Sequence, residues 1–115
     1  MIEINNLTKS RANKEFLKEL AKKVLEEENK KITLSIALVG PDRIRELNRK
    51  YRKRDKPTDV LSFQYDGWGE VVICPEVVKK NAKQFQSTYQ KELARVLIHG
   101  ILHILGYTHK QMEKK

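Results

Sequence analysis

The stretch that decides the fold is LARVLIHGILHIL, residues 93–105. Its Leu, Val and Ile residues recur on nearly every side of a helix, and a helix of that kind has to lie deep in a domain. Ser87 or Thr88 is suited to cap its first turn, and Gly106 is suited to end it. We therefore predict that the last helix of the chain is buried.

Upstream of this helix, alternating apolar and polar residues predict four strands, near residues 2–4, 32–38, 60–65 and 71–73. The last two strands form a hairpin, because the turn-forming sequence DGWG, residues 66–69, lies between them.

Helical spacing predicts three further helices. The first covers residues 13–28 and carries an apolar stripe of Phe16, Leu17, Leu20, Ala21, Val24 and Leu25. The second and third begin at Pro41 and Pro75, because proline suits the first helical position, and the third runs to about Phe85. We expect the second helix to turn Ile44, Leu47 and Tyr51 toward the core. The order β-α-β-α-β-β-α-α predicts an α+β (mixed α/β) fold, a four-stranded mixed sheet with helices packed on it.

The charge of the chain indicates a polyanionic partner. Its 115 residues fit one domain, 1–115, and carry 24 Lys and Arg against 15 Asp and Glu, a net charge of +9. Nucleic acid is favoured, because no segment has the form of a basic amphipathic membrane anchor. The only cysteine, Cys74, is expected to be a buried strand residue. With no secretory leader or membrane-length apolar run, the sequence predicts a cytoplasmic protein without a membrane partner.

The three histidines of the chain, His99, His103 and His109, form the pattern that carries chemistry. The first two are four residues apart on the predicted helix, so their rings project from one face, about 40° apart around its axis. Gly106 lets the chain reverse and bring the third ring back. Three neutral imidazoles suit Zn²⁺ and leave a fourth tetrahedral position for water, as in catalytic zinc sites. The spacing predicts one zinc ion per chain in a metal-dependent hydrolase domain.

This spacing is that of the metzincin proteases with one substitution. Gly100 stands where those enzymes have the glutamate that takes a proton from the attacking water. The substitution argues against peptide hydrolysis by that route. Gly100 permits either close approach of a substrate to the metal or tight packing of the helix on the sheet.

The stretch HGILHILGYTH, residues 99–109, resembles the signature of the YbeY family of bacterial rRNA maturation endoribonucleases. Three upstream blocks resemble the same family in the same order: Leu47-Asn48 with Tyr51-Arg52, KPTDVLSF at residues 56–63, and GEVVIC at residues 69–74. The resemblance covers about residues 30 to 110.

The resemblance implies a zincin-like, zinc-dependent endoribonuclease that cuts single-stranded RNA in rRNA processing and in ribosome maturation and quality control. It implies His99, His103 and His109 as zinc ligands and Arg52 as a functional residue. Its implied partners are rRNA and the small ribosomal subunit, not DNA. Three positions depart from the family's usual pattern: Thr108 and Glu70 replace Asp, and Gln64 replaces Pro.

Arg52 is suited to grip a phosphate, because its planar guanidinium makes two charge-assisted bonds to phosphate oxygens. Alternatively, Arg52 is an exposed arginine at the end of a helix, where its charge favours the helix dipole. Around it we expect an RNA backbone track formed by Arg49, Lys50, Arg52, Lys53, Arg54 and Lys56. Trp68 either stacks on an unpaired base or packs against the protein. Metal-bound hydroxide, the RNA 2′-hydroxyl and Asp59 all remain candidates for the general base.

Two other function classes fit parts of the pattern. A non-catalytic RNA- or ribosome-binding assembly factor with a structural zinc would bind RNA without cutting it, and the basic track alone supports this alternative. A zincin-type peptidase fits the histidine spacing, but Gly100 and the positive charge disfavour it.

Overall fold

Four strands and four helices are found along residues 1–107, the part of the chain that the computed structural model describes. In chain order they are β1 (Ile2–Asn6), α1 (Lys14–Glu27), β2 (Thr33–Leu38), α2 (Pro41–Arg52), β3 (Val60–Gln64), β4 (Trp68–Ile73), α3 (Pro75–Gln84) and α4 (Tyr89–Ile104). This is the predicted order, and the predicted α+β class is confirmed. None of the helices within this part of the chain is long and apolar enough to cross a membrane.

The strands form one mixed sheet in the order β1-β2-β4-β3. β1, β2 and β4 are parallel to one another, whereas β3 is antiparallel to β4 and lies at the edge. The predicted β3–β4 hairpin is confirmed, but its turn is shorter than expected, because Trp68 and Gly69 already belong to β4. The amide of Tyr65 donates to the carbonyl of Trp68 at 2.9 Å, and Gly67 supplies the left-handed conformation of the turn, with φ +79°.

Helices cover both faces of the sheet. On one face α1 and α4 enclose the larger core, whose fully buried side chains include Leu17, Leu34, Ile36, Val71, Leu97 and Ile101. On the other face α2 packs over Ala37, Leu61 and Val72. The buried last helix that residues 93–105 predict is therefore confirmed, with the side chain of Thr88 as its N-cap.

Two expectations about single residues were wrong. Tyr51 is 50% exposed, because the last turn of α2 brings its ring only edge-on to the Phe63 ring, with 5.2 Å between centroids, whereas Ile44 of the same helix is buried. Cys74 is buried as expected, but it is the N-cap residue of α3 and not a strand residue. Burial raises the pKa of its thiol.

Close approach of α4 to the sheet depends on two glycines. A Cβ atom on Gly69 would lie 2.6 Å from Cγ2 of Ile104, and one on Gly100 would lie 2.9 Å from Cγ1 of Val71. The packing interpretation of Gly100 is therefore supported. This contact places the turn of α4 that carries His99 directly beside β3 and β4.

Candidate active site

A cleft of about 810 Å³ runs along β3, the edge strand of the sheet. One wall, which we call the α4 wall, consists of Arg95, Val96, His99, Gly100, His103 and Ile104. A second wall, which we call the loop wall, consists of Asn48, Arg52, Arg54, Lys56, Thr58 and Asp59 from the end of α2 and the segment that follows it. Residues far apart in the sequence are thus brought to one cavity.

The α4 wall holds two of the three predicted metal ligands. His99 and His103 are one helical turn apart and both border the cleft, the first half-buried and the second exposed. His109 lies outside the described residues, as does Thr108. Within residues 1–107 no group of three His, Cys, Asp or Glu residues is arranged to hold a metal ion. Two imidazoles on one helix face are donors of the type that zinc takes.

Arg52 stands on the loop wall, at the last residue of α2. Its Nη2 donates to the carbonyl oxygen of Ser62 at 3.0 Å, and its guanidinium lies 5.6 Å from the centroid of the Phe63 ring. The Ser62 hydroxyl donates to the carbonyl of Gly100 at 3.1 Å. A short chain of contacts through β3 therefore links Arg52 to the helical turn that carries His99.

Sequence reasoning missed the ion-pair network around Arg95. Its guanidinium donates through Nε to Oε1 of the buried Glu92 at 3.0 Å and through Nη2 to the other oxygen of that carboxylate. Nη2 also lies 3.7 Å from Oδ2 of Asp59, and Nη1 lies 3.4 Å from Nδ1 of His99. The hydrogen bond with Arg95 lowers the pKa of Glu92, and the same bond raises the pKa of Arg95. Arg95 therefore stays charged between a candidate base and a candidate metal ligand.

Signals for part of this network were present in the sequence. Glu92 and Arg95 are three residues apart on a helix that is otherwise apolar, a spacing at which opposite charges meet. A carboxylate that is buried on such a helix needs an ion-pair or hydrogen-bond partner. The contact with Asp59 spans the two walls and carries no comparable signal.

The loop wall is held by a buried amide. Asn48 is buried, and its Nδ2 donates to the carbonyl oxygen of Lys56 at 2.8 Å. Lys53 ends α2 in the left-handed conformation, with φ 61°. This hydrogen bond and the left-handed turn at Lys53 reverse the chain toward β3, and Arg54 and Lys56 border the cleft.

The other residues expected to contact RNA do not border the cleft. They are Arg49, Lys50, Lys53 and Trp68. Arg49 borders a smaller depression with Arg45 and Asp55, whereas Nζ of Lys50 lies 5.3 Å from the centroid of the Tyr51 ring. The predicted track is therefore divided between the cleft and the outer surface of α2.

Comparison with known proteins places this chain in a family. The model of the endoribonuclease YbeY family matches residues 3–115. An endoribonuclease YbeY from Thermotoga neapolitana is 45% identical over 106 residues, which are 88% of this chain and 71% of that protein. One from Persephonella marina is 44% identical over 112 residues, 89% of this chain and 73% of the relative.

A solved structure agrees with the fold. The solution structure of a Thermotoga maritima protein is 39% identical in sequence, with a TM-score of 0.68, over 95% of this chain and 75% of that one. The match to the family model spans nearly the whole chain, and the relatives share more than two-fifths of their aligned residues with it. This chain therefore belongs to the endoribonuclease YbeY family.

Proposed function

We propose that this chain is a zinc-dependent endoribonuclease that cuts single-stranded ribosomal RNA in rRNA processing and in ribosome maturation and quality control. One observation carries the proposal: His99 and His103 on α4 border the same cleft as Arg52 at the end of α2. Membership of a family whose relatives are named endoribonucleases supports it. The small ribosomal subunit is the partner and the cytoplasm the location that this substrate implies.

The proposed metal site uses His99, His103 and His109 to hold one zinc ion per chain. His99 and His103 supply two imidazoles from one face of α4, and His109 is placed by the sequence three residues after Gly106. When bound, zinc supplies Lewis-acid chemistry, because it polarises phosphoryl oxygens and acidifies water near neutral pH.

The protein's own groups then bind and orient the RNA. The guanidinium of Arg52 has five N–H donors, and the Ser62 carbonyl accepts from one nitrogen, so donors remain for the scissile phosphate. Arg54 and Lys56 stand on the same wall and would contact neighbouring phosphates. Arg49, Lys50 and Lys53 extend the positive charge beyond the cleft.

Asp59 is the protein group best placed to accept a proton. Among the described residues that line the cleft it is the one carboxylate, and Arg95 holds it at 3.7 Å. We propose that it takes the proton of the attacking water or of the RNA 2′-hydroxyl.

The test measures cleavage of a single-stranded rRNA fragment by the intact chain and by alanine variants of Arg52 and of the three histidines. We expect each histidine variant to lose metal-dependent cleavage, and Arg52→Ala to lose about 10²- to 10³-fold, the usual effect of removing a donor to transition-state charge. Arg11→Ala is the matched control, because Arg11 is an exposed arginine that does not line the cleft. Undiminished cleavage by His99→Ala, or by protein stripped of metal, would refute the proposal.

The same assay separates the competing classes. RNA that the clean protein retains but does not cut would favour a binding and assembly factor. Cleavage of peptides without cleavage of RNA would favour a zincin-type peptidase.

A further inference from the structure

Two aromatic rings stack on each other at the tip of the β3–β4 hairpin and stay open to solvent. The rings of Tyr65 and Trp68 lie 4.2 Å apart between centroids, with 14° between their planes. Mutual stacking leaves Tyr65 45% exposed and Trp68 40% exposed. Large exposed apolar side chains that lie together mark binding surfaces more often than isolated ones do.

A line of aromatic and cationic side chains connects this pair to the cleft. Phe63 in β3 precedes Tyr65 by two residues, which is about 7 Å along an extended chain. The Phe63 ring lies beside the guanidinium of Arg52, at 5.6 Å, and edge-on to the ring of Tyr51. The path from the proposed phosphate contact at Arg52 to the hairpin tip is therefore short.

The charges along this path separate two kinds of contact. Positive side chains lie at the Arg52 end, whereas the hairpin contributes Asp66 in its turn and Glu70 opposite Phe63. Phosphates are attracted to the first group and repelled by the second. A nucleotide at the hairpin tip would have to bind through its base, whose flat face can continue an aromatic stack.

We infer that Tyr65 and Trp68 form a stacking surface for an unpaired RNA base that flanks the phosphate bound at Arg52. The inference rests on the proposed function, and it adds a contact that gives a preference for unpaired nucleotides. Base-paired RNA has no free base face to offer at this position, so the surface selects single strands.

The chain contains one tryptophan, Trp68, so its intrinsic fluorescence reports on this surface directly. The experiment uses metal-free protein in the presence of a chelator, so that a short oligoadenylate is bound without being cut. Binding is followed both by tryptophan emission and by the anisotropy of a fluorescent label on the RNA. We expect saturable quenching of Trp68 with the same midpoint as the anisotropy change.

Variants of the pair test the energy of the contact. We expect Tyr65→Leu and Trp68→Leu each to weaken binding about tenfold, the usual effect of losing one base stack. The slope of log affinity against log salt should stay unchanged, because that slope counts phosphate contacts and not stacking. Phe85→Leu is the matched control and should bind like the parent chain, because Phe85 is an exposed aromatic residue beyond α3, away from the cleft. Melting temperatures establish that each variant is folded.

Each outcome decides a different claim. The stacking surface would be refuted if RNA bound without changing the emission of Trp68, or if the variants bound RNA as tightly as the parent chain. Tyr65 and Trp68 would then serve only to stabilise the hairpin. A parent chain that neither binds nor cuts single-stranded RNA would overturn the proposed function itself. Quenching needs no substitution, so it decides the question even where a variant fails to fold.

Discussion

The two walls of the cleft are built in different ways. The α4 wall is the side of a helix that packs closely on the sheet, with Gly100 against Val71 and Leu97 and Ile101 fully buried. The loop wall is an irregular segment held by polar contacts, chiefly the Asn48 amide on the carbonyl of Lys56. Two of the candidate metal ligands, His99 and His103, lie on the packed wall, and the cationic candidates Arg52, Arg54 and Lys56 lie on the polar one. The first wall is therefore held by core packing, and the second by a few polar contacts.

The largest expected effect comes from the packed wall. Gly100→Val would force a branched side chain into a space where Cβ alone lies 2.9 Å from Val71 and 3.2 Å from the Ser62 hydroxyl. We expect a loss of about 3 kcal/mol in the free energy of unfolding, measured by urea denaturation. Gly40→Val is the control, because no atom lies within 4 Å of a Cβ at Gly40. Equal losses in the two variants would contradict the close packing of α4.

On the loop wall, Asn48→Ala should have the next largest effect. The substitution leaves the carbonyl of Lys56 without its 2.8 Å hydrogen bond and removes a buried amide. We expect a loss of about 1 to 2 kcal/mol in unfolding free energy, together with weaker RNA binding, because Arg54 and Lys56 lose their fixed position. Asn81→Ala, on α3 and away from the cleft, should weaken neither property. An Asn48 variant of parental stability and affinity would show that the loop is held by other contacts.

A smaller, pH-dependent effect is expected at Glu92. The hydrogen bond with Arg95 lowers the pKa of Glu92, so this carboxylate stabilises the fold above its ordinary pKa of about 4.3. The contribution is lost as the pH falls through the lower pKa of the folded state. Glu92→Gln should therefore cost only about 1 kcal/mol at neutral pH, because Arg95 is partly exposed and the pair is partly screened. The cost should shrink as the pH falls below the ordinary pKa of the carboxyl group.

The control for this prediction is Glu46→Gln. Glu46 and Arg43 form a pair of the same spacing, but both side chains are more than half exposed. The difference in unfolding free energy between Glu46→Gln and the parent chain should therefore not change with pH. A deficit in Glu92→Gln that stays constant from neutral to acid pH would mean that packing and not charge is lost.

The smallest effect is expected at Asp55, in the segment that follows α2. The hydrogen bond from Arg45 lowers the pKa of Asp55, yet both side chains are more than half exposed. Water and salt screen such a pair, so Asp55→Asn should leave the melting temperature unchanged within error. A clear drop that persists at high salt would show that this exposed ion pair stabilises the fold and that solvent screening does not cancel it.

The order of the elements was predictable from the sequence because each has a strong local pattern. Alternation marked the strands, and Pro41, Pro75 and Thr88 marked three helix starts. The strand order β1-β2-β4-β3 was not predictable, since it depends on pairing between distant segments. Tyr51 was misplaced because helical periodicity indicates which face is apolar, but not where the sheet beneath it ends.

For the site, local spacing again predicted more than long-range contact. The spacing of His99 and His103 placed both on one face of a helix, and both border the cleft. Arg52 was predicted to be functional because of the resemblance to a known family. The contact of Arg95 with Asp59 was not predicted, because it joins residues that are 36 positions apart. Residues on different elements meet only once the sheet has formed.

The central claim is that the three histidines hold zinc in a cleft that cuts RNA, and metal content tests it most directly. Purified parent chain and the variants His99→Ala, His103→Ala and His109→Ala would be analysed for zinc per chain after dialysis, with melting temperatures to establish folding. We expect one zinc per parent chain and its loss from each folded variant. Zinc retained at one per chain in any folded variant, or a zinc-free parent chain that cuts RNA at the full rate, would contradict the account.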